Sequence, residues 1–166
     1  MELAEVVAQW FSDNLHLSKD AIVFIISMIP ILELRGGLIV AKFFEINLWK
    51  AIGLCIVGNI IPVPFILKFI TPIFTWLKKT KRFSPMVHRL EKKSMGKSEK
   101  IQKYEFWGLM LFVGIPLPGT GAWTGSLIAA LLNMKFSKAF IAVICGIIMA
   151  TIIMSIFSYG LLGQVL

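Results

Sequence analysis

Apolar positions along the chain fall into long blocks separated by short polar or Pro/Gly-rich breaks, and block lengths predict the elements. The run Phe106–Met134 carries no charge, yet its centre, Ile115-Pro116-Leu117-Pro118-Gly119-Thr120-Gly121, is the poorest helix-forming stretch in the protein. Pro118 lacks a backbone donor and would clash with the carbonyl of Gly114, and Gly119 and Gly121 carry a backbone-entropy cost. The break leaves two apolar arms, Phe106–Ile115 and Ala122–Asn133. Each reaches about 15–18 Å, roughly half a hydrocarbon core. The pattern predicts a re-entrant hairpin with Pro116, Pro118 and Gly119 at its tip. Irregular backbone at that depth must be surrounded by protein or line a water-filled cavity.

The same pattern occurs upstream. Ala21–Leu32 is too short to span, ends in Glu33-Leu34-Arg35-Gly36-Gly37, and resumes as Leu38–Phe44. This predicts a first hairpin whose tip holds Pro30, Gly36 and Gly37 together with the charges. Ser18 is placed to cap its first arm. Each hairpin is followed by a long apolar block, Leu48–Leu77 after a capping Asn47, and about 137–162. Pro62, Pro64 and Pro72 predict kinks in the first block, where Lys68 must snorkel or face protein. Residues 2–15 set Leu3, Val6, Val7, Trp10 and Phe11 on one helical face, as in an amphipathic helix lying in the membrane interface. The acidic start and the lack of an apolar core after Met1 do not fit a signal peptide.

The two halves align with each other. Ile29-Pro30-Ile31 matches Ile115-Pro116-Leu117 at an offset of 86, Gly37–Ala41 resembles Ser126–Ala130 at 89, and Lys50-Ala51 and Gly58 match Lys138-Ala139 and Gly146 at 88. One spanning segment lies between the hairpins, so the second copy enters from the opposite face. The expected fold is therefore an all-α integral membrane protein, an inverted repeat of re-entrant hairpin plus transmembrane helix with an N-terminal amphipathic helix. Its parts are an interfacial helix (1–17), repeat 1 (18–77), a basic loop (78–103) and repeat 2 (104–166). Tyr104 and Trp107 are candidate interfacial anchors.

Composition agrees, with 57% hydrophobic residues and a mean hydropathy of +0.82. The net charge of +8 is local: residues 78–103 hold ten Lys/Arg against Glu91 and Glu99. That distribution excludes a nucleic-acid reading in favour of a cytoplasmic loop that attracts anionic lipids. Parity then puts both termini outside a multi-pass plasma (inner) membrane protein. Cys55 and Cys145 sit in apolar segments at no metal-ligand spacing and read as packing residues. No cofactor, metal site, Walker loop or Ser/His/Asp arrangement is expected, and the chain is not read as an enzyme.

Candidate chemistry is sparse. Glu33 and Arg35 are the charged residues of the stretch Ala21–Ala41, and ionisable groups at that depth mark function by default. The alternative is an internal Glu–Arg pair that fixes the tip. Glu33 suits a carboxyl cycling between charged and neutral forms, as a proton carrier must. Arg35 offers a planar fork for phosphate or carboxylate. The second tip adds Thr120, Gly121 and Thr124, with backbone N–H groups opening the second arm as an anion site. Gly125 and Ser126 read as close helix packing. Asn59 is a further polar candidate, and His88 reads as a surface residue.

At Pro30-Ile31-Leu32-Glu33-Leu34-Arg35-Gly36-Gly37 and Pro116-Leu117-Pro118-Gly119-Thr120-Gly121-Ala122-Trp123-Thr124-Gly125, the chain resembles the small multidrug export family, a distant relative of the DedA membrane proteins. The resemblance implies two re-entrant hairpins in inverted repeat and, through DedA proteins, proton-dependent handling of lipid carriers such as undecaprenyl phosphate. It carries the acidic role onto Glu33. DedA proteins place arginines in the second hairpin; here that hairpin has none, and Arg35 in the first is the nearest equivalent. The expected function is a small proton-coupled transporter, a flippase or exporter of a phosphate-headed lipid or other amphipathic substrate, working as a homodimer among membrane lipids. The alternatives are an organic-cation/proton antiporter and a non-transporting membrane scaffold.

Overall fold

The computed structural model describes residues 6–7, 9–11, 17–79, 84–95 and 105–161, and among these every regular element is helical. A first helical pair, α1 (Lys19–Met28) and α2 (Glu33–Phe43), precedes α3 (Leu48–Ile60) and α4 (Pro62–Lys78). Then come α5 (Ser84–Met95), a second pair α6 (Phe106–Gly114) and α7 (Ala122–Leu131), and α8 (Phe136–Ser155), which continues as a π-helical turn, Ile156–Leu161. Two apolar rods, Leu48–Trp76 and Phe136–Gly160, are long and apolar enough to cross a membrane.

Local chemistry sets the boundaries. Ser18 Oγ accepts from the Ala21 N–H at 3.3 Å, and Asn47 Oδ1 accepts from Trp49 N–H at 3.0 Å. Each satisfies an otherwise unpaired donor at a helix start. Pro62 and Pro64 open α4, where missing donors cost little, and Pro72 lies inside it. The α3–α4 boundary is mild, since Ile61 N–H still bonds Val57 O at 3.2 Å. Lys68 is exposed, with its ammonium 5.2 Å from the Phe136 ring centre.

The first tip lies earlier than the sequence pattern places it. Helix α1 stops at Met28, before Pro30, and the turn is Ile29–Leu32. Glu33, Arg35, Gly36 and Gly37 therefore occupy the opening turns of α2, and Gly36 and Gly37 are not tip residues. Pro30 disfavours helical geometry in the residue before it, and the chain reverses through Ile31 at φ +84° and Glu33 at φ +49°. Gly37 serves close packing instead. A Cβ there would come within 2.1 Å of Ser27 Oγ and 2.8 Å of Cys55 Sγ. The second break behaves as expected, with Gly119 and Gly121 at φ +75° and +132°.

The halves repeat each other's contacts. Gly58 admits α1 at Phe24 O and Ser27 Cβ; Gly146, 88 residues on, admits α6 at Met110 O and Val113 Cβ. The exits of α2 and α7 also coincide at 88. Glu45 and Asn133 both have positive φ (+57° and +53°), and Ile46→Ala41 matches Met134→Ala129 as a backbone hydrogen bond. An ion pair, Lys50–Asp20 or Lys138–Glu105, ties each rod's first turn to the start of its hairpin's first arm. These contacts correct the register of the second arm. Gly37 corresponds to Gly125, at 88, rather than to Ser126 at 89. Gly125 is used like Gly37, since a Cβ there would lie 2.5 Å from Val113 Cγ2.

The rods run antiparallel. Tyr159, at the end of the second, donates to Ile46 O just before the first, at 2.9 Å. Thr71, near the end of the first, donates to Ala130 O just before the second, at 3.4 Å. Two cores result. One joins Ile22, Val23, Ile26, Leu34, Leu38 and Cys55; the other joins Leu109, Val113, Ile128, Val143 and Ile147 with Val63. Of the N-terminal segment, Val7 and Phe11 pack against the first core while Val6 and Trp10 are exposed. Tyr104 lies outside the described residues. Trp107 is exposed.

Candidate functional site

The two tips meet. Glu33, 6% exposed, points from the first turn of α2 to the start of α7. Its Oε2 accepts from the Ala122 N–H at 3.2 Å and its Oε1 from the Trp123 N–H at 3.1 Å. A carboxylate on a helix N-terminus satisfies orphan donors and meets the positive end of the helix dipole. Charge-assisted bonds of this kind contribute about 1.5–3 kcal/mol each, which offsets part of the cost of burying the charge. Gly121 supplies the space, since a Cβ there would stand 2.0 Å from Oε2.

Arg35 crosses to the same tip by another route. One guanidinium nitrogen donates to Leu117 O at 2.6 Å, and the other to Thr120 Oγ1 at 2.9 Å and Ile115 O at 3.4 Å. The single Thr120 hydroxyl proton has the Ile115 and Leu117 carbonyls within reach as acceptors (2.9 and 2.8 Å), and its oxygen accepts from Leu117 N–H at 3.2 Å. The arginine fork thus adds a second set of donors to turn carbonyls that also accept from the Leu117 and Thr120 N–H groups at 2.8 and 3.1 Å. Glu33 and Arg35 form no ion pair with each other. In place of a self-neutralising pair there are two separate reaches to the second hairpin. Ile31 and Glu33 hold left-handed backbone for this, at a cost of about 1–3 kcal/mol each.

Of the remaining candidates, Thr120 and Gly121 join Glu33 and Arg35, while Thr124 and Asn59 make no hydrogen bond to either. Asn59 is buried in α3 and its Oδ1 has no partner in the structure. Pro30, Pro116, Pro118 and Gly119 shape the tips, and Ile31 and Leu117 are exposed there. Sequence reasoning missed Trp123, whose indole N–H donates to Met28 O at 3.1 Å. The repeat would have found it. At an offset of 88, Trp123 is the counterpart of Arg35, and each donates to carbonyls ending the opposite hairpin's first arm. Glu33 has Gly121 as its counterpart.

A cavity of about 430 Å³ lies apart from the tips, at the α7–α8 junction, lined by Glu105, Leu132, Asn133, Met134, Lys135 and Lys138. The Lys138 ammonium beside Glu105 holds that carboxyl below its usual range. Among the described residues no cluster of three His, Cys, Asp or Glu could hold a metal ion.

Two apolar rods, two broken helical pairs and a polar contact between their tips define a small all-helical membrane protein. The family model described as "Putative small multi-drug export protein" matches residues 33–153, and the chain belongs to that family. No curated protein and no solved structure matches the chain.

Proposed function

We propose that the chain is a small secondary transporter of the plasma membrane, a proton-coupled flippase or exporter of a phosphate-headed lipid or similar amphipathic substrate. The observation that carries this reading is the latch between Glu33, Arg35 and the broken backbone of the second tip. A purely structural hairpin has no need of buried charge, and ionisable groups within a membrane mark substrate or proton paths.

In this reading both hairpins are re-entrant and the halves form an inverted-topology repeat, with the substrate site at the tips near the midplane. The antiparallel rods and the contacts repeated at 88 support it. Glu33 exchanges the coupling proton, and Arg35 with the α7 amides receives the phosphate. Placing segment 78–103 in the cytoplasm puts both termini outside. Irregular backbone cannot face hydrocarbon, so the exposed tip residues Ile31 and Leu117 support pairing of two copies, in line with the commonest oligomer symmetry.

The family description favours a second reading, organic-cation/proton antiport with Glu33 as the cation's partner. Uptake into proteoliposomes with and without an imposed pH gradient tests the proton role. Glu33→Gln abolishes gradient-driven accumulation while the protein stays folded; accumulation equal to wild type removes Glu33 from the mechanism. For topology, Lys93→Cys reacts with impermeant thiol reagents from the cytoplasmic side alone, and cysteines at residues 2 and 165 from outside alone. Labelling of all three from one side refutes the inverted repeat.

A further inference from the structure

The start of α7 already holds an anion, and that anion belongs to the chain. The Glu33 carboxylate lies across the helix end with one oxygen on each of two adjacent amides, at 3.2 and 3.1 Å. It is almost completely buried, and Gly121 cradles all three carboxylate atoms: a Cβ there would lie 2.0 Å from Oε2, 2.7 Å from Cδ and 2.9 Å from Oε1. At the rim, Arg35 and Thr120 add a guanidinium and a hydroxyl, 2.9 Å apart. Two anionic oxygens on successive amides of a helix start, with an arginine alongside, are what a ligand phosphate or carboxylate presents. The side chain is delivered there by left-handed backbone at Ile31 and Glu33.

We propose that this cradle is the subsite for the anionic group of the substrate, a phosphate or carboxylate, and that Glu33 is its resident competitor. The ligand binds by displacing the Glu33 carboxylate from the Ala122 and Trp123 amides. The inference rests on the transport reading for the premise that a ligand reaches the tips. Displacement conserves the local charge, because one anion enters the helix end as another leaves it.

Binding to the full chain purified in detergent tests this, with a dioctanoyl lipid phosphate, inorganic phosphate and tetraphenylphosphonium as separate probes. A ligand that must wait for a resident group to leave is weakened by the fraction of time the site is free, so Glu33→Ala tightens anion binding by about tenfold or more. Glu33→Gln, whose neutral amide holds the N–H groups less firmly, gives a smaller gain and decides the matter if the alanine variant does not fold. Tightening for the lipid phosphate alone identifies a headgroup site; tightening for both phosphates identifies a site for small anions. Anion affinity unchanged or weakened in the foldable variants overturns the proposal, as does loss of tetraphenylphosphonium binding with no gain for anions. Because the assay carries no gradient, tighter anion binding without proton-driven uptake by the wild type retains the subsite and removes the transport reading.

Discussion

Three glycines on the rods give a graded test of the repeated packing. At Gly146 an added Cβ would lie 2.6 Å from Val113 Cβ and 2.8 Å from Met110 O; at Gly58 it would lie 2.7 Å from Phe24 O and 3.0 Å from Ser27 Cβ. In both cases the obstacle includes a backbone oxygen, which no rotamer change moves, so the adjoining arm must shift. Overpacking of this kind costs about 1–3 kcal/mol. Replacing a helical glycine by alanine returns about 0.8–1 kcal/mol. The expected net loss is therefore about 0–2 kcal/mol for Gly58→Ala and for Gly146→Ala, with the two values close because the contacts are equivalent. A Cβ added at Gly53 would meet nothing within 4 Å. That position keeps the helix gain alone, so Gly53→Ala stabilises by about 0.8–1 kcal/mol. Thermal unfolding of the purified protein in detergent ranks the three. If Gly58→Ala and Gly146→Ala are as stable as Gly53→Ala, the close approach of each rod to its own first arm is wrong.

Arg35→Ala removes bonds to Leu117 O, Ile115 O and Thr120 Oγ1 while the carbonyls keep their Thr120 and backbone partners, costing about 1.5–3 kcal/mol in thermal or denaturant unfolding. Arg35→Lys, a point charge without the fork, recovers part of this; full recovery refutes the bidentate role. Glu105 titrates in a second experiment. Its folded pKa lies below the ordinary 4.5, so its contribution is present above that value and is lost as pH falls through the lower folded one. Unfolding of Glu105→Gln therefore depends less on pH across that acid range than unfolding of the wild type, and unchanged acid sensitivity refutes the pairing with Lys138.

Local causes along the chain suffice for the helical class, both rods, the caps at Ser18 and Asn47, and the second break. Those causes are apolar block length, a proline's missing donor and a side-chain acceptor at a helix start. Glu33 and Arg35 also stand out without coordinates, because charge in an apolar stretch is expensive wherever the chain folds. Tertiary structure decided what those charges meet. Sequence proximity suggests that residues 33 and 35 pair with each other, yet both reach the second tip, where the turn offers carbonyls to Arg35 and the start of α7 offers amides to Glu33. It also moved Gly36 and Gly37 from the first tip into α2, since Pro30 had already ended α1 and Gly37 was needed for contact with Ser27 and Cys55. Trp123 became visible as the counterpart of Arg35 once the contacts fixed the repeat at 88. Register in a diverged repeat is set by which backbones touch, and small residues such as Gly125 and Ser126 look interchangeable until packing chooses between them.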